Sequence, residues 1–207
     1  RLHNMRTLDS IRDENRKMRI AKETMEIYAP LSDRMGMNHI RDELEDLSFQ
    51  ELNSEARNLI IERLSLNKKD RETSFKKTSE TLERVLAEKN VDAKIMGREK
   101  TPFSIWRKMQ SRRISLEQLA DIIGFRVIVD NIKTCYEVLG IFHSMWSMIP
   151  GRFKDYISTP KINNYKSLHT AVIGPNKERI EIQIRTQRMN EFAERGIASH
   201  WKYKSSE

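Results

Sequence analysis

Cysteine, glycine, proline and long apolar runs are all scarce in this chain of 207 residues. The single cysteine, Cys135, excludes an internal disulfide framework and a cysteine-based zinc site, and it is typical of a reducing compartment. Seven glycines and five prolines exclude collagen-like and low-complexity chains, and 38% hydrophobic residues exclude a fully disordered one. No apolar run approaches the roughly 18 residues that a membrane-spanning helix needs. With Arg1 first and no signal-peptide pattern after it, we expect a cytoplasmic piece of a longer protein, without membrane association.

Positive charge is in excess, because 38 Lys and Arg residues face 30 Asp and Glu residues, a net charge of +8. This excess predicts an anionic partner: nucleic acid, an acidic membrane surface or the phosphates of a nucleotide. Residues 97–113 contain six basic residues and one acidic residue, a local net charge of +5. An ordinary basic surface is the alternative interpretation, and composition does not separate the two.

The first 90 residues contain only one glycine, Gly36, and their apolar residues recur at intervals of three and four, which indicates helices. Pro30 and residues 35–37 interrupt this rhythm, so we expect at least two helices before residue 40. Beyond residue 90 strands alternate with helices, which predicts an α/β sheet domain over 91–207. We expect strands at 91–96 (ended by Gly97), 122–129 (central, and buried on both faces), 156–158, 167–173 and 179–185, and helices at 101–113, 133–148 and 188–201.

A basic cluster near residue 100 is the first candidate site. Ser104 and Lys108 are four residues apart on the predicted helix and share one of its faces. Arg98 and Lys100 are two residues apart at a strand end and point to the same side. Arginine gives forked contacts and lysine a mobile point charge, so the four together can clamp a polyphosphate.

Two acidic residues are the second candidate. Asp121 opens the predicted central strand, and Glu181 lies between isoleucines in another strand. Because successive side chains of a strand alternate between its two faces, an acidic residue between isoleucines ordinarily faces solvent, and this is the alternative interpretation of Glu181. If adjacent strands bring the two carboxylates together, they can instead hold Mg²⁺, which takes one or two carboxylates plus phosphate oxygens.

The third candidate is the loop around Tyr165. A tyrosine in an Asn-Asn-Tyr loop, flanked by Lys161 and Lys166, can stack on a nucleobase while the lysines meet phosphates, and Asn163 can contact base edges. The alternative is a core tyrosine after a turn, with His169 as a structural residue of the next strand.

Several segments resemble, in the same order, those of the RelA/SpoT homologues, which make and degrade guanosine tetra- and pentaphosphate. They read GREKTPFSIWRKM, DIIGFRVIVD, CYEVLGIFHSMW, PGRFKDYISTPKINNYKSLHT, EIQIRT and AERGIASHWKYK. Upstream, RLHNMRTL and YAPLSDRMGMNHIRDELEDLSF resemble the end of that family's hydrolase domain and the linker after it. The resemblance implies the C-terminal helices of an HD hydrolase domain over 1–40, a helical linker over 41–90 and a synthetase domain over 91–207.

The resemblance also implies a fold and a reaction. The expected fold is α+β: a nucleotidyltransferase-related mixed sheet flanked by helices, preceded by an all-helical part. The expected activity is that of a GTP/GDP diphosphokinase of the stringent response, which moves the β,γ-pyrophosphate of ATP to the 3′-hydroxyl of GDP or GTP with Mg²⁺. The matching residues are Arg98, Lys100, Ser104 and Lys108 for ATP, Asp121 and Glu181 for metal and catalysis, and Lys154, Lys161, Asn163, Tyr165 and His169 for the acceptor nucleotide, with Tyr165 stacking on guanine.

The chain departs from the family pattern at two places. Asn164 stands where glycine is usual, and asparagine tolerates a left-handed backbone better than most residues. Residues 101–103, Thr-Pro-Phe, replace a more usual His-x-Tyr. Residues 152–155, Arg-Phe-Lys-Asp, have the form of the bifunctional Rel and SpoT-type members.

The family's hydrolase needs a His-Asp dipeptide among its metal ligands, and none of the five histidines is followed by aspartate. We therefore expect no hydrolase activity from this chain alone. Without the family's C-terminal regulatory domains, nucleic-acid or ribosome binding is not expected either. Two alternatives to an active synthetase stay open: a nucleotide-binding fragment with little or no turnover, and a basic RNA-binding module.

Overall fold

The computed structural model describes residues 1–66, 68–116, 123–174 and 177–196. The chain forms two compact units: one of residues 1–66, 101–116 and the chain from 192 onward, the other of residues 67–100 and 117–191. The boundaries at 40 and 90 that the family resemblance implies are a separate division, and they stay a prediction.

The helices in the described residues are α1 (Leu2–Arg6), α2 (Glu14–Glu23), α3 (Ala29–Arg34), α4 (Asn38–Leu52), α5 (Ser54–Leu66), α6 (Lys68–Glu88), α7 (Pro102–Arg112), α8 (Ile132–Met145) and α9 (Gln187–Arg195). The strands are β1 (Lys94–Glu99), β2 (Ile123–Val129), β3 (Lys154–Asp155), β4 (Leu168–Ile173) and β5 (Arg179–Thr186). The expected all-helical part followed by a domain of helices and strands is confirmed. No helix in these residues combines the length and the apolar character that crossing a membrane requires.

The first unit is helical, and Pro30 does not break it where the sequence predicts an interruption. Residues 24–28 form one π-helical turn that joins α2 directly to α3, and Pro30 lies in the first turn of α3. The wider π turn accommodates the missing N–H of proline, so the helix continues. The helix ends instead at Arg34, shortly before Gly36, whose φ of 72° suits glycine, and the Met37 N–H donates to the Ser32 carbonyl across the end.

The second unit is built on a mixed five-stranded sheet in the order β1-β2-β5-β4-β3. Strands β2 and β5 are parallel, and the other neighbouring pairs are antiparallel. The expected mixed sheet is confirmed, and β2 is a central, largely buried strand as predicted. Several details were predicted wrongly. Strand β1 begins at Lys94 instead of residue 91 and contains Gly97, α8 ends at Met145 instead of residue 148, and residues 156–158 form a turn after the two-residue strand β3.

Alternation along the strands gives this sheet one apolar and one polar face. Phe125, Val127, Leu168, Ile182 and Ile184 point to the apolar face, where they pack with residues of α6 and α8 in one buried core. Their strand neighbours point to the opposite side, because successive side chains alternate. We call that opposite side of the sheet the polar face.

Gly97 lies inside β1, at a position where an aromatic ring occupies the space that a side chain would need. It pairs with Phe125 on the apolar face, and the ring of Phe75 from α6 stacks on Phe125 at 4.8 Å between centroids. A Cβ atom added at Gly97 would lie 2.4 Å from the Phe75 ring. Only glycine therefore fits this strand position while the Phe75 ring stays where it is.

We expect Gly97→Ala to lower the free energy of unfolding by about 1 kcal/mol, the low end of the cost of overpacking, because Gly97 is exposed and the methyl group meets the far end of the half-buried Phe75 ring. Urea titration of the single variant and of Gly97→Ala/Phe75→Leu measures it. The double variant should lose less stability than the sum of the two single variants, because the smaller side chain makes room for the methyl group. Strictly additive losses would contradict the proposed clash.

Candidate active site

Two rows of paired residues cross the polar face. The first row is Arg98, Gly124, Glu181 and Ala171, and the second is Met96, Arg126, Gln183, His169 and Lys154. Each row joins residues that are far apart in sequence, because strand pairing places them side by side on the same face. The sheet therefore brings together Arg98, Glu181, His169 and Lys154 of the residues predicted from sequence.

Glu181 lies at the middle of the first row and forms an ion pair. The Lys100 Nζ donates to Glu181 Oε2 over 2.7 Å, and the side chains are 17% and 31% exposed. Next to Glu181 in the row, Gly124 adds no side chain between Arg98 and Glu181. The carboxylate of Glu181 is thus half-buried among cations on a face with room for a ligand.

A cavity of about 220 Å³ opens beside Glu181. Its polar lining includes Arg152, Lys154, His169, Glu181 and Gln183. Cations on one side and a carboxylate on the other are suited to a ligand that carries both phosphate and hydroxyl groups. Of these residues, Arg152 and Gln183 were not predicted as site residues. The alternation of side chains along β5 was the available signal for Gln183, since Gln183 lies two residues after Glu181 and is therefore on the same face.

Tyr165 is 7% exposed, and charged and aromatic side chains surround its ring. Its hydroxyl and His169 Nε2 are hydrogen-bonded at 2.7 Å. Tyr156 and His169 contact the ring edge-on, while Lys161 Nζ and Arg185 Cζ lie over it at 5.1 and 5.9 Å from its centroid. Tyr165 is thus a buried tyrosine whose hydroxyl contacts His169 in the cavity lining, and its stacking on a nucleobase stays a prediction.

The loop before Tyr165 is held by its own hydrogen bonds. The side chain of Asn163 accepts the Tyr165 N–H at 3.2 Å, and the Asn164 N–H donates to the Lys161 carbonyl at 2.8 Å. Asn164 has a φ of 61°, so this position does adopt the left-handed backbone that glycine usually supplies. The asparagine therefore preserves the loop geometry.

His169 is largely buried, and its surroundings oppose a positive charge on it. Burial, together with the positive charges of Lys161, Arg185 and Arg98, lowers the pKa of His169 to about 3. The imidazole is therefore neutral at neutral pH. A neutral ring can hold the Tyr165 hydroxyl and present its remaining nitrogen to a ligand without adding charge to the site.

The depressed pKa of His169 predicts a stability that falls with acidity. Between pH 6.5 and about 3 the unfolded chain binds a proton at this residue and the folded chain does not, so stability is lost as pH falls through this window. The slope from one such group is about 1.4 kcal/mol per pH unit. We expect the difference in unfolding free energy between wild type and His169→Asn to shrink from pH 6.5 to pH 4, in urea titrations. Parallel curves would contradict the low pKa.

The remaining predicted residues are Ser104, Lys108 and Asp121. Ser104 and Lys108 are on α7 in the first unit, both half-buried, and the Ser104 hydroxyl donates to the Thr101 carbonyl at 2.8 Å. Thr101 caps α7 by accepting the Ser104 N–H, as its place at the predicted helix start suggested. Asp121 lies outside the described residues. The binding of ATP by Ser104 and Lys108 together with Arg98 and Lys100, and the binding of metal by Asp121, stay predictions.

The donors on the polar face fit Mg²⁺ in part. Mg²⁺ takes one or two carboxylates and keeps its other positions for water and phosphate oxygens, and Glu181 supplies one partly exposed carboxylate, which is paired with Lys100. Across the described residues there is no group of three or more His, Cys, Asp or Glu that could hold a metal by itself.

Comparisons with known proteins agree with the resemblance. The family model described as "Region found in RelA / SpoT proteins" matches residues 97–207, and one described as "HD domain" matches residues 1–38. GTP pyrophosphokinase rsh of Brucella melitensis is 50% identical over 204 residues, 99% of this chain and 27% of that protein. The bifunctional (p)ppGpp synthase/hydrolase SpoT of Escherichia coli is 45% identical over 204 residues, again 99% of this chain and 29% of that protein.

Among solved structures, the crystal structure of small alarmone synthetase 1 from Bacillus subtilis is 24% identical, with a TM-score of 0.49, over 68% of this chain and 81% of that one. The present chain spans between 27% and 29% of the length of the two curated relatives above. The family model, by contrast, covers more than half of this chain, from Gly97 within β1 through β5 and beyond. On that coverage, the chain belongs to the RelA/SpoT family.

Proposed function

We propose that this chain is a (p)ppGpp synthetase, which transfers pyrophosphate from ATP to the 3′-hydroxyl of GDP or GTP. The observation that carries the proposal is the polar face, where Glu181 lies among Arg98, Lys100 and a cation-lined cavity. Family membership supports it, as do relatives named GTP pyrophosphokinase.

The donor side of the reaction uses Arg98 and Lys100. Arg98 is on β1 and belongs to the row that contains Glu181. Lys100 follows β1 and is hydrogen-bonded to Glu181 itself. Phosphoryl transfer depends mainly on positioning and on stabilising charge at the transferring group, which cations do well in a partly buried site. We assign the ATP phosphates to these two residues, together with Ser104 and Lys108 as the family resemblance implies.

The acceptor side uses the cavity and the loop beside it. At about 220 Å³ the cavity is smaller than typical whole-ligand pockets, which start near about 300 Å³, so it suits part of a nucleotide. Arg152, Lys154 and Lys161 are the cations available to its phosphates. We assign the guanine to Tyr165 and the nearby Asn163, and His169 to fixing the Tyr165 hydroxyl.

In the proposed step, the 3′-oxygen of the acceptor forms a bond to the β-phosphorus of ATP. The bond between that phosphorus and the oxygen bridging to the α-phosphorus breaks, and AMP leaves. The Glu181 carboxylate orients the 3′-hydroxyl and accepts its proton. For Glu181 to do so, Lys100 has to leave it. The phosphates of the incoming nucleotide are negatively charged, as the carboxylate is, and can replace it as the partner of the Lys100 ammonium.

Glu181, with Asp121, would hold the Mg²⁺ that the family resemblance implies. When bound, the metal neutralises charge on the phosphates. One half-exposed carboxylate beside a phosphate-binding row fits such a metal.

Incubating the purified chain with γ-labelled ATP, GDP and Mg²⁺, followed by chromatography, tests the proposed function. We expect labelled guanosine tetraphosphate, and none when EDTA is added in excess over Mg²⁺. An inactive wild type that still binds GDP in calorimetry would favour the non-catalytic alternative. RNA binding that falls steeply with salt and is unchanged in Tyr165→Ala, with no nucleotide product, would favour the RNA-binding alternative.

We also propose that hydrolysis of guanosine tetraphosphate is absent from this chain by itself, since no histidine is followed by aspartate. The relatives make this worth testing, because one is named bifunctional and another a 3′-pyrophosphohydrolase, and an HD-domain model matches residues 1–38. The assay is release of pyrophosphate from guanosine tetraphosphate with Mn²⁺. Release above the protein-free blank would overturn the proposal.

A further inference from the structure

Arg185 is a charged side chain buried in the second unit, 2% exposed and the largest among its fully buried side chains. It lies on β5 in the same parity as Glu181 and Gln183, and hence on the polar face. Taking a guanidinium out of water is costly unless its surroundings compensate. A buried arginine next to a candidate active site is therefore expected to hold neighbouring groups in place.

Its contacts lead to the cavity. Arg185 Nη2 donates to Gln183 Oε1 at 3.0 Å, and Gln183 lines the cavity beside Glu181. A guanidinium has donors and no acceptor, so only the amide oxygen of Gln183 can face it. The amide NH₂ group, on the other branch of the same planar group, is then directed away from Arg185.

The orientation has a chemical consequence for the ligand. With its oxygen bound to Arg185, Gln183 has its NH₂ group, a hydrogen-bond donor, left to offer to the cavity that it lines. Glu181, two residues away on the same face, offers acceptors. The cavity thus distinguishes two positions about 7 Å apart along the strand, one for a hydroxyl that donates and one for an oxygen that accepts.

We propose that Arg185 is a positioning residue, which orients the Gln183 amide so that its NH₂ group donates to an oxygen of the acceptor nucleotide. The inference rests on the proposed function, in which Glu181 faces the 3′-hydroxyl of that nucleotide. Arg185 itself does not touch the substrate. A methionine at 185 would leave the Gln183 amide to rotate, and its oxygen would then face the nucleotide oxygen in part of the molecules.

The test is a double-variant cycle in the full chain with Arg185→Met, Gln183→Ala and the two combined. We expect each single variant to raise the KM for GDP about threefold to tenfold, the size of one hydrogen bond, with the KM for ATP unchanged. In the Gln183→Ala background, Arg185→Met should add less than twofold. A full additional effect would overturn the proposal, since Arg185 would then act through the fold or through the Tyr165 ring, over which its guanidinium lies.

Two further variants keep the test decisive if Arg185→Met does not fold. Arg185→Lys keeps a donor-only cation and should recover part of the GDP affinity. Gln183→Glu keeps a partner for Arg185, and so the fold, while it removes the NH₂ donor; it should raise the KM for GDP at least tenfold. An unchanged KM for GDP in Gln183→Glu would refute the inference.

Failure of the proposed function has a separate signature. If the wild type makes no guanosine tetraphosphate, the same cycle is measured as the dissociation constant for GDP by calorimetry. Coupling between Arg185 and Gln183 in GDP binding would then support the inference although the chain is inactive. A wild type that makes product but shows no coupling would refute the inference and leave the proposed function standing.

Discussion

Replacing Glu181 with glutamine is expected to lower kcat for guanosine tetraphosphate synthesis by about a hundredfold to ten-thousandfold, the usual contribution of one general base. Glutamine has nearly the same shape but neither charge nor affinity for the proton of the attacking hydroxyl. It also leaves Lys100, now 2.7 Å from Glu181, without an anionic partner at this position. Steady-state rates with labelled ATP and GDP, over a range of Mg²⁺ concentrations, measure the loss.

The matched control is Glu137→Gln. Glu137 is an exposed carboxylate on α8, the helix that packs on the opposite, apolar face of the sheet. This variant should keep the wild-type rate, and both variants should unfold close to the wild-type temperature because both carboxylates are at least partly exposed. A Glu181→Gln rate within threefold of wild type would remove Glu181 from the catalytic step.

Replacing Tyr165 with leucine is expected to raise the KM for GDP by about tenfold to a hundredfold while the KM for ATP changes little. Stacking of a base on an aromatic ring contributes about 1–3 kcal/mol, and leucine keeps apolar volume without a ring face. Because Lys161 now lies over the ring, a stacked guanine would take the place of its ammonium. The displaced lysine would then be available to the nucleotide phosphates.

Tyr165→Phe separates the ring from the hydroxyl. It keeps the stacking face and removes only the hydrogen bond to His169, so the KM for GDP should rise no more than about tenfold, the worth of one net hydrogen bond. Thermal unfolding of both variants is the control for the loss of a buried side chain, since Tyr165 is 7% exposed. Equal effects of the two variants on the KM for GDP would argue against stacking.

The secondary structure of the second unit follows closely from local pattern. The apolar run at residues 122–129 and the alternation at 179–185 predict β2 and β5 to within one residue for every bound that the structure describes. The errors occur where tertiary contacts overrule local signals. Gly97 would end a strand in isolation, but pairing with β2 and the ring of Phe75 keep it inside β1. A π turn likewise carries the helix past Pro30.

The candidate site, like the fold, is predictable from the sequence only in part. Family motifs and residue chemistry predict Arg98, Lys100, Glu181, Tyr165 and His169 from the sequence. The contacts between them are not predictable, because they join residues up to 81 positions apart, as in the pair Lys100–Glu181. Gln183 and Arg185 were missed because a glutamine and an arginine in a strand are typical of solvent-facing residues, and alternation along β5 shows only that they share the face of Glu181.

The sequence by itself determined the family, the order of the elements and the types of charged group available, because these depend on composition, periodicity and motifs along the chain. Only the tertiary structure decided which charges meet. Strand pairing set Gly124 between Arg98 and Glu181, closed the cavity around Gln183 and buried His169 among cations, so that its pKa falls to about 3. Burial and electrostatic interaction are properties of distance in space, and the folded sheet is what sets those distances.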